Sequence, residues 1–198
     1  ANSLIPITEY VLEKSRTGDV YTTLTKTGNA TFDYVDKEVA VDNYSYFYRT
    51  YAIDECLDTS EVFNFGKTIL LVADTTYDQR PLLNWSTYQG WTENVDYYII
   101  EIKNPNKSFS QIGSTRSIDS TLIDLVTNLN QRPEYCYRII GYKELVDGEK
   151  QIISISNEDC TPVHSKVFFP NAFTPTHDNL NERFKTTGIY IKEYHITI

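Results

Sequence analysis

The stretch Tyr135-Cys136-Tyr137-Arg138 decides the fold, because a closely similar stretch, Tyr46-Phe47-Tyr48-Arg49, stands 89 positions earlier. Further upstream, a shift of 88 positions places Tyr10-Val11-Leu12-Glu13 on Tyr98-Ile99-Ile100-Glu101. The same shift matches three more residues of like character: Tyr21 with Phe109, Leu24 with Ile112 and Asp36 with Asp124. So many matches at nearly one offset indicate two copies of one structural unit within the first 162 residues.

Composition and local alternation both favour β-strands. Tyrosine occurs 16 times, methionine is absent, and aromatic residues make up 14% of the chain. Aromatic residues are enriched in strands. Tyr10 and Leu12, like Tyr98 and Ile100, recur with the period of two that places alternate residues on one face of a strand. A repeat of about 90 residues has the size of a small β-sandwich, so we expect an all-β chain.

The two Tyr-x-Tyr-Arg stretches resemble strand F of fibronectin type III modules, which are immunoglobulin-like β-sandwiches. Trp85, in Leu82-Leu83-Asn84-Trp85, resembles the core tryptophan of strand B in those modules. The resemblance implies tandem fibronectin type III-like sandwiches.

Three domains are expected: a partial module at residues 1–64, a complete module at 65–162, and the start of a further β domain at 163–198. When the two copies are aligned, residue 1 corresponds to Gln89, so the strands expected between Lys67 and Tyr88 have no counterpart in the first copy. A sandwich without them would expose its interior and a long unpaired edge. We therefore expect these strands upstream in the natural protein.

The last part of the chain opens with Val167-Phe168-Phe169-Pro170-Asn171-Ala172-Phe173-Thr174-Pro175. Its two prolines exclude a helix and interrupt any central strand. Its three phenylalanines predict burial. This pattern indicates a rigid apolar entry into a new β domain.

Residues 168–184 resemble the opening of the gliding motility-associated C-terminal domain, the type B sorting domain of type IX secretion, whose pattern is FxPNAFTPNGDGxND. The match is specific from Pro170 to Pro175. Beyond it the chain departs from the pattern, with Thr176, His177, Asn179 and Glu182 where the family has Asn, Gly, Gly and Asp. We expect this small β-sandwich domain to continue beyond Ile198.

The resemblance implies a secreted bacterial protein that crosses the outer membrane and is displayed at the cell surface. Its implied partner is the outer-membrane type IX translocon or an associated β-barrel protein, and the fibronectin-like modules would be spacers. The residues that the translocon would read are Phe169, Pro170, Asn171, Ala172, Phe173, Thr174, Pro175, Asp178, Asn181 and Phe184.

A cell-surface adhesion function is the alternative, in which the modules themselves bind a glycan or a protein. Aromatic side chains suit such a role, and the candidates are Tyr44, Tyr88 and Trp91. Each could instead belong to a sandwich core. A flat exposed row of aromatic residues would favour binding, and its absence would favour spacers.

The cysteines are consistent with export. Asp147-Gly148 is a strong hairpin signal, and a two-residue turn there pairs positions whose numbers sum to 295. Cys136 and Cys160 sum to 296, so they would lie almost opposite each other, and we predict a disulfide between them. Two reduced buried thiols are the alternative. Cys56 is left over, and we expect its partner in the upstream strands.

The sequence carries no recognisable catalytic motif. The three histidines, His164, His177 and His195, lack the spacing of metal ligands, so we expect neither an enzyme nor a cofactor. One loop crowds four oxygen-bearing side chains: Asp178, Asn179, Asn181 and Glu182. A calcium site there is the alternative to an ordinary Asx-rich turn, because the spacing misses the Asp-x-Asn-x-Asn-Gly pattern.

Charge argues against one class of partner, and hydropathy argues against a membrane-spanning helix. A net charge of -9 argues against nucleic acid, which requires clustered Lys and Arg. The longest apolar run, Ile69 to Ala73, is far shorter than the roughly 20 residues of a membrane-spanning helix. We therefore expect a chain that does not span the membrane.

Overall fold

A computed structural model describes residues 5–28, 33–61, 64–77, 80–90, 95–124, 132–144, 150–163, 165–169 and 186–189, together with residues 191, 193 and 195. Every regular element in this part of the chain is a β-strand, which confirms the all-β fold. The strands are β1 (Ile7–Ser15), β2 (Thr22–Thr27), β3 (Phe47–Asp54), β4 (Asn64–Lys67), β5 (Leu71–Thr75), β6 (Pro81–Trp85), β7 (Gln89–Gly90), β8 (Tyr97–Lys103), β9 (Phe109–Arg116), β10 (Thr121–Ile123), β11 (Glu134–Glu144), β12 (Lys150–Ile155), β13 (Asp159–Pro162), β14 (Lys166–Phe168) and β15 (Thr187–Ile189).

The first copy of the repeat forms one antiparallel sheet, here called the first sheet, with the strand order β2-β1-β3-β4-β7. β4 belongs to this sheet through its pairing with β3, and it extends three residues beyond the boundary expected at residue 64. On its other side β4 pairs with β7, where Gly66 lies opposite Gly90. This pairing joins the first copy to the second.

The second copy is a complete sandwich of the fibronectin type III kind. Its small sheet has the order β10-β6-β5, and its large sheet has the order β12-β11-β8-β9, with β13 pairing the other end of β11. A small sheet facing a larger one, with the strands of each antiparallel, is the arrangement expected from the resemblance.

Alternation along the strands builds the core between these two sheets. On β8, Tyr98 and Ile100 are fully buried, whereas Glu101 lies on the opposite face. On β6, Trp85 faces inward, and its ring meets Tyr98 edge-on with centroids 5.8 Å apart. Complete burial of each large apolar side chain contributes roughly 1.5–3 kcal/mol. Trp85 therefore occupies the core position predicted for it.

The two copies agree in detail as well as in strand order. β1, β2 and β3 correspond to β8, β9 and β11 at the predicted offsets. A β-bulge lies between Leu12 and Glu13 in the first copy and between Ile100 and Glu101 in the second, 88 positions later. The internal repeat predicted from the sequence is thus a repeat of structure.

Side chains close the free edge of β5. Asn157 accepts a hydrogen bond from the backbone N–H of Leu71 at 2.7 Å and donates one to the Leu71 carbonyl at 3.0 Å. Asp159 accepts from the N–H of Ala73 at 2.8 Å. These bonds replace a neighbouring strand and tie the small sheet to the large one.

Candidate functional site

The candidate site is the segment that follows the second sandwich. Thr161 on β13 is buried, and Val163 packs against the core while its N–H donates to the Pro133 carbonyl at 2.8 Å. After Val163, the side chains of Ser165, Val167, Phe168 and Phe169 are exposed. The chain therefore leaves the sandwich between Val163 and Ser165.

Three consecutive apolar side chains then face solvent. Val167 is 38% exposed, Phe168 54% and Phe169 57%. This differs from the burial predicted for the phenylalanines, and for Phe168 and Phe169 that prediction was wrong. The physical reason is that β14 has one described neighbour, β15, and a two-stranded sheet has no second layer to cover its faces.

The pairing of β14 with β15 sets how this segment is presented. Val167 lies opposite Gly188, and Phe168 lies opposite Thr187. Because glycine has no side chain, no cross-strand side chain at Gly188 packs against Val167.

Phe169 is the one predicted recognition residue within the described part of the chain. The other candidates lie outside the described residues: Pro170, Asn171, Ala172, Phe173, Thr174, Pro175, Asp178, Asn181 and Phe184. The same holds for the possible calcium ligands Asn179 and Glu182 and for His164 and His177. His195 is described, and it lies 3.6 Å from the carboxylate of Glu193 on the surface.

The predicted disulfide between Cys136 and Cys160 is present. The two cysteines lie directly opposite each other in the pairing of β11 with β13. The β11–β12 pairs change from a sum of 294 at Glu144–Lys150 to 295 at Ile140–Ile155, with an irregularity after Gly141, and the cysteines sum to 296. The observed pairing therefore differs by at most one position from the register predicted by a two-residue turn at Asp147-Gly148. Asp147-Gly148 itself lies outside the described residues, and Cys56 is an exposed free cysteine.

A cleft of about 370 Å³ lies beside the disulfide. Its cationic lining is Lys103, Lys107 and Arg132. Lys103 binds the Glu158 carboxylate at 2.6 Å, and the Arg132 guanidinium donates to the Lys103 carbonyl while lying 4.5 Å from the Tyr135 ring centroid. Because Lys103 and Arg132 bind protein groups, this lining stabilises the end of the sandwich.

Glu134, Cys136 and Cys160 bring three potential metal-ligand atoms within 4.8 Å of one another. Metal binding by cysteine requires thiolates, and these two sulfurs are joined in a disulfide. The cluster therefore does not fit a metal ion.

Perturbed acid–base groups in the described residues have structural causes. Burial raises the pKa of Tyr88 and of Tyr98. Burial also raises the pKa of Tyr48, and the nearby Asp36 carboxylate adds to that effect. The N–H of Glu144, followed by the Lys143 ammonium, holds the pKa of Asp96 below its usual value. Each cause is burial or a contact within the fold, so the fold accounts for these pKa shifts.

Tyr44 and Tyr88, the two described residues among the aromatic candidates for ligand binding, do not form an exposed row. Tyr88 is 6% exposed and belongs to the core cluster, and its backbone N–H donates a hydrogen bond to the Tyr98 hydroxyl at 2.7 Å. Tyr44 is exposed, with the Arg16 guanidinium 4.7 Å from its ring centroid. Trp91 lies outside the described residues. The core position given as the alternative for Tyr88 is therefore confirmed, and Tyr88 is not an exposed binding residue.

Among the described residues, none forms a helix that is long and apolar enough to span a membrane. No family model matches the chain, and no curated protein sequence matches it. The resemblance of residues 168–184 to the sorting domain therefore rests on those residues alone. The crystal structure of the selenomethionine-substituted chicken interferon gamma receptor alpha chain is similar at 13% sequence identity, over 79% of this chain and 85% of that chain, with a TM-score of 0.31. That likeness is too weak to bear on function.

Proposed function

We propose that this chain is the C-terminal region of a secreted cell-surface protein, in which fibronectin type III-like modules present a sorting signal to the type IX translocon of the outer membrane. The observation that carries the proposal is the exposed apolar run from Val167 to Phe169, directly after the last strand of the second sandwich.

A firm anchor before this run supports the spacer role. β13 is held to β11 by backbone pairing and by the disulfide between Cys136 and Cys160. The signal begins within a few residues of that strand. A translocon that pulls on the signal would therefore act on a strand that is covalently tied to the centre of the large sheet.

The composition of the run supports recognition by a partner. Transfer of an exposed phenylalanine into an apolar pocket contributes roughly 1.5–3 kcal/mol. Pro170 and Pro175 restrict the backbone through their rings, which reduces the entropy lost when a partner orders the segment. Exposed apolar side chains followed by prolines are thus suited to capture in an extended form.

Deletion of residues 167–198 tests the proposal in a bacterium that has type IX secretion. The second sandwich should stay folded, because its last strand ends at Pro162 and its last packed residue is Val163. The truncated protein should accumulate in the periplasm. Undiminished secretion would show that this segment is an ordinary structural module.

Point variants sharpen the test. Phe168→Ser with Phe169→Ser should reduce secretion, whereas Val72→Ser should not, since Val72 is a 48% exposed apolar residue on β5, outside the segment. Equal secretion of the two variants would contradict the proposed role of the phenylalanines.

A further inference from the structure

Glu134, Cys136 and Cys160 lie together on one face of the pairing between β11 and β13. On β11, Tyr135 and Tyr137 are buried in the core, so alternation places Glu134 and Cys136 on the opposite face of the strand. Cys160 on β13 lies directly opposite Cys136. The carboxylate and the two sulfurs lie within 4.8 Å of one another. Two regular strands therefore hold three potential metal ligands in one place.

Backbone pairing and burial hold β13 in place independently of the disulfide. The strand pairs with β11 at four successive positions. Thr161 is 1% exposed, and the N–H of Val163 donates to the Pro133 carbonyl at 2.8 Å. The Asp159 carboxylate accepts from the N–H of Ala73 at 2.8 Å. We therefore expect the two sulfurs and the carboxylate to remain neighbours when the disulfide is reduced.

The disulfide can be reached from solvent. Both cysteines line the 370 Å³ cleft, and both are partly exposed. An external dithiol that enters the cleft can reduce the bond by thiol–disulfide exchange, and it is itself oxidised to a disulfide in the process. The exchange transfers two electrons and two protons, so it leaves Cys136 and Cys160 as thiols.

The charge around the sulfurs then favours a divalent cation. Three cationic residues and two carboxylates line the cleft, which gives it a net charge of +1 in the disulfide form. The cationic residues favour the thiolate form of the reduced cysteines. Two thiolates change the net charge to −1, and one divalent cation returns it to +1. Binding of such an ion therefore restores the charge balance of the oxidised cleft.

We propose that the reduced chain binds Zn²⁺ through the Cys136 and Cys160 thiolates and the Glu134 carboxylate. The fourth position of a tetrahedral ion would be open to water in the cleft. In such a site the two sulfurs lie roughly 3.8 Å apart, given Zn–S distances of about 2.3 Å, which two opposed residues of neighbouring strands can reach. Thiolates disfavour the hard ions Ca²⁺ and Mg²⁺.

The site is gated by the redox state of the cysteines. Binding of the ion releases the two thiol protons. Oxidation of the thiolates to the disulfide removes two electrons and both sulfur ligands, so the ion leaves. The disulfide form, as described above, does not fit a metal ion.

Cobalt provides a spectroscopic test on the full chain. Cys56→Ser leaves Cys136 and Cys160 as the only cysteines, and a phosphine reductant opens the disulfide without adding a thiol. Added Co²⁺ should then give thiolate charge-transfer absorption and the visible bands of a tetrahedral ion, and Zn²⁺ should displace it and remove both. The oxidised chain should give neither signal. Equal spectra for the two redox states would overturn the proposal.

Variants identify the ligands. Cys160→Ser should abolish the charge-transfer absorption. Glu134→Gln should weaken Zn²⁺ affinity by about tenfold or more, since loss even of a group that only supports a ligand has an effect of about that size. Glu158→Gln is the matched control, because its carboxylate lines the same cleft but binds Lys103 at 2.6 Å. Equal loss of affinity in the two glutamine variants would refute Glu134 as a ligand.

Hydrogen exchange in β8, measured in the same samples, shows whether the reduced sandwich is folded. A folded, reduced chain without the cobalt bands would overturn the proposal. If reduction unfolds the sandwich, Zn²⁺ should restore protection in β8, because an ion that binds only the native chain favours folding. Failure to restore it would count equally against the site. So would unchanged affinity in urea, since the strands would then not form the site.

Discussion

The Tyr137 hydroxyl donates a hydrogen bond to Asp124 Oδ2 over 2.9 Å inside the second sandwich. The first copy repeats this bond between Tyr48 and Asp36 at 3.0 Å. A second polar contact is repeated on the opposite face. Arg49 binds Glu13 and lies 3.8 Å from the Tyr21 ring centroid, and the equivalent arginine binds Glu101 and lies 3.9 Å from the Phe109 ring centroid. The repeat therefore includes its polar contacts as well as its apolar core.

The Tyr137–Asp124 bond should contribute measurably to stability. Tyr137→Phe removes the hydroxyl from a position where Asp124 is 2% exposed, so the carboxylate loses a partner that water cannot replace. We expect a loss of about 1–3 kcal/mol in the free energy of unfolding, measured with denaturant. Tyr77→Phe is the control, because Tyr77 is fully exposed. Equal stability of the two variants would mean that the buried bond contributes nothing net.

Loss of the disulfide should destabilise the second sandwich. Cys136 and Cys160 are 24 positions apart, and a closed loop of that length contributes about 3.5 kcal/mol in the chain-entropy model. The double variant Cys136→Ser with Cys160→Ser should lose stability of that order in denaturant unfolding. Cys56→Ser should change it by less than about 0.5 kcal/mol, because Cys56 is exposed and free. A double variant as stable as Cys56→Ser would contradict the expectation.

Gly90 should be required for the pairing between β4 and β7. Its φ is +150°, and a Cβ atom added there would collide with the backbone of Phe65 and Gly66. We expect Gly90→Ala to separate the two strands and to accelerate hydrogen exchange in β4 and β7. Gly113→Ala is the matched control, since a Cβ at Gly113 meets no atom within 4 Å. If hydrogen exchange in β4 and β7 is the same in both variants as in the parent chain, a glycine at position 90 is not required for the pairing of these strands.

Asp36 should make the stability of the first sheet depend on pH in the acid range. Burial favours a higher pKa for this carboxyl, but hydrogen bonds from Lys14, the Glu38 N–H and Tyr48 outweigh it and hold the pKa below its usual value of 3.8. A lowered pKa means that the stabilisation is present above the unfolded-state pKa and is lost as the pH falls through the folded-state pKa.

Hydrogen exchange of β1 and β3 between about pH 5 and pH 2, corrected for intrinsic rates, measures this dependence. Asp36→Asn should lower protection at pH 5 and show less further loss toward pH 2 than the parent chain. Asp42→Asn is the control, an exposed carboxyl on the neighbouring turn. A parent chain whose protection falls no more steeply than that of Asp36→Asn would contradict the assignment.

Local pattern and offset were enough to predict the strands, the repeat and the disulfide. Strand alternation is a property of consecutive residues, and the register of a hairpin follows from its turn, so Trp85 and the pair Cys136–Cys160 could be located without a structure. The bulge near Gly141 was not predictable in this way, but it moved the register by a single position.

Burial was decided by the tertiary structure, because it depends on whether a second layer lies over a given face. Equivalent residues such as Leu12 and Ile100 have the same strand pattern, yet the first is half-buried and the second is completely buried, since only the second faces β5 and β6. Phe168 is exposed because it lies on a two-stranded sheet with no second layer, and Tyr88 is buried because it packs in the core of the second sandwich. The bonds from Asn157 to Leu71 join residues 86 positions apart, and no local pattern could reveal them. The sequence by itself indicated strands from the alternation of their residues and predicted the register of one hairpin. Long-range contacts determine how one sheet packs on another. That packing decided which faces are covered and which remain available to a partner.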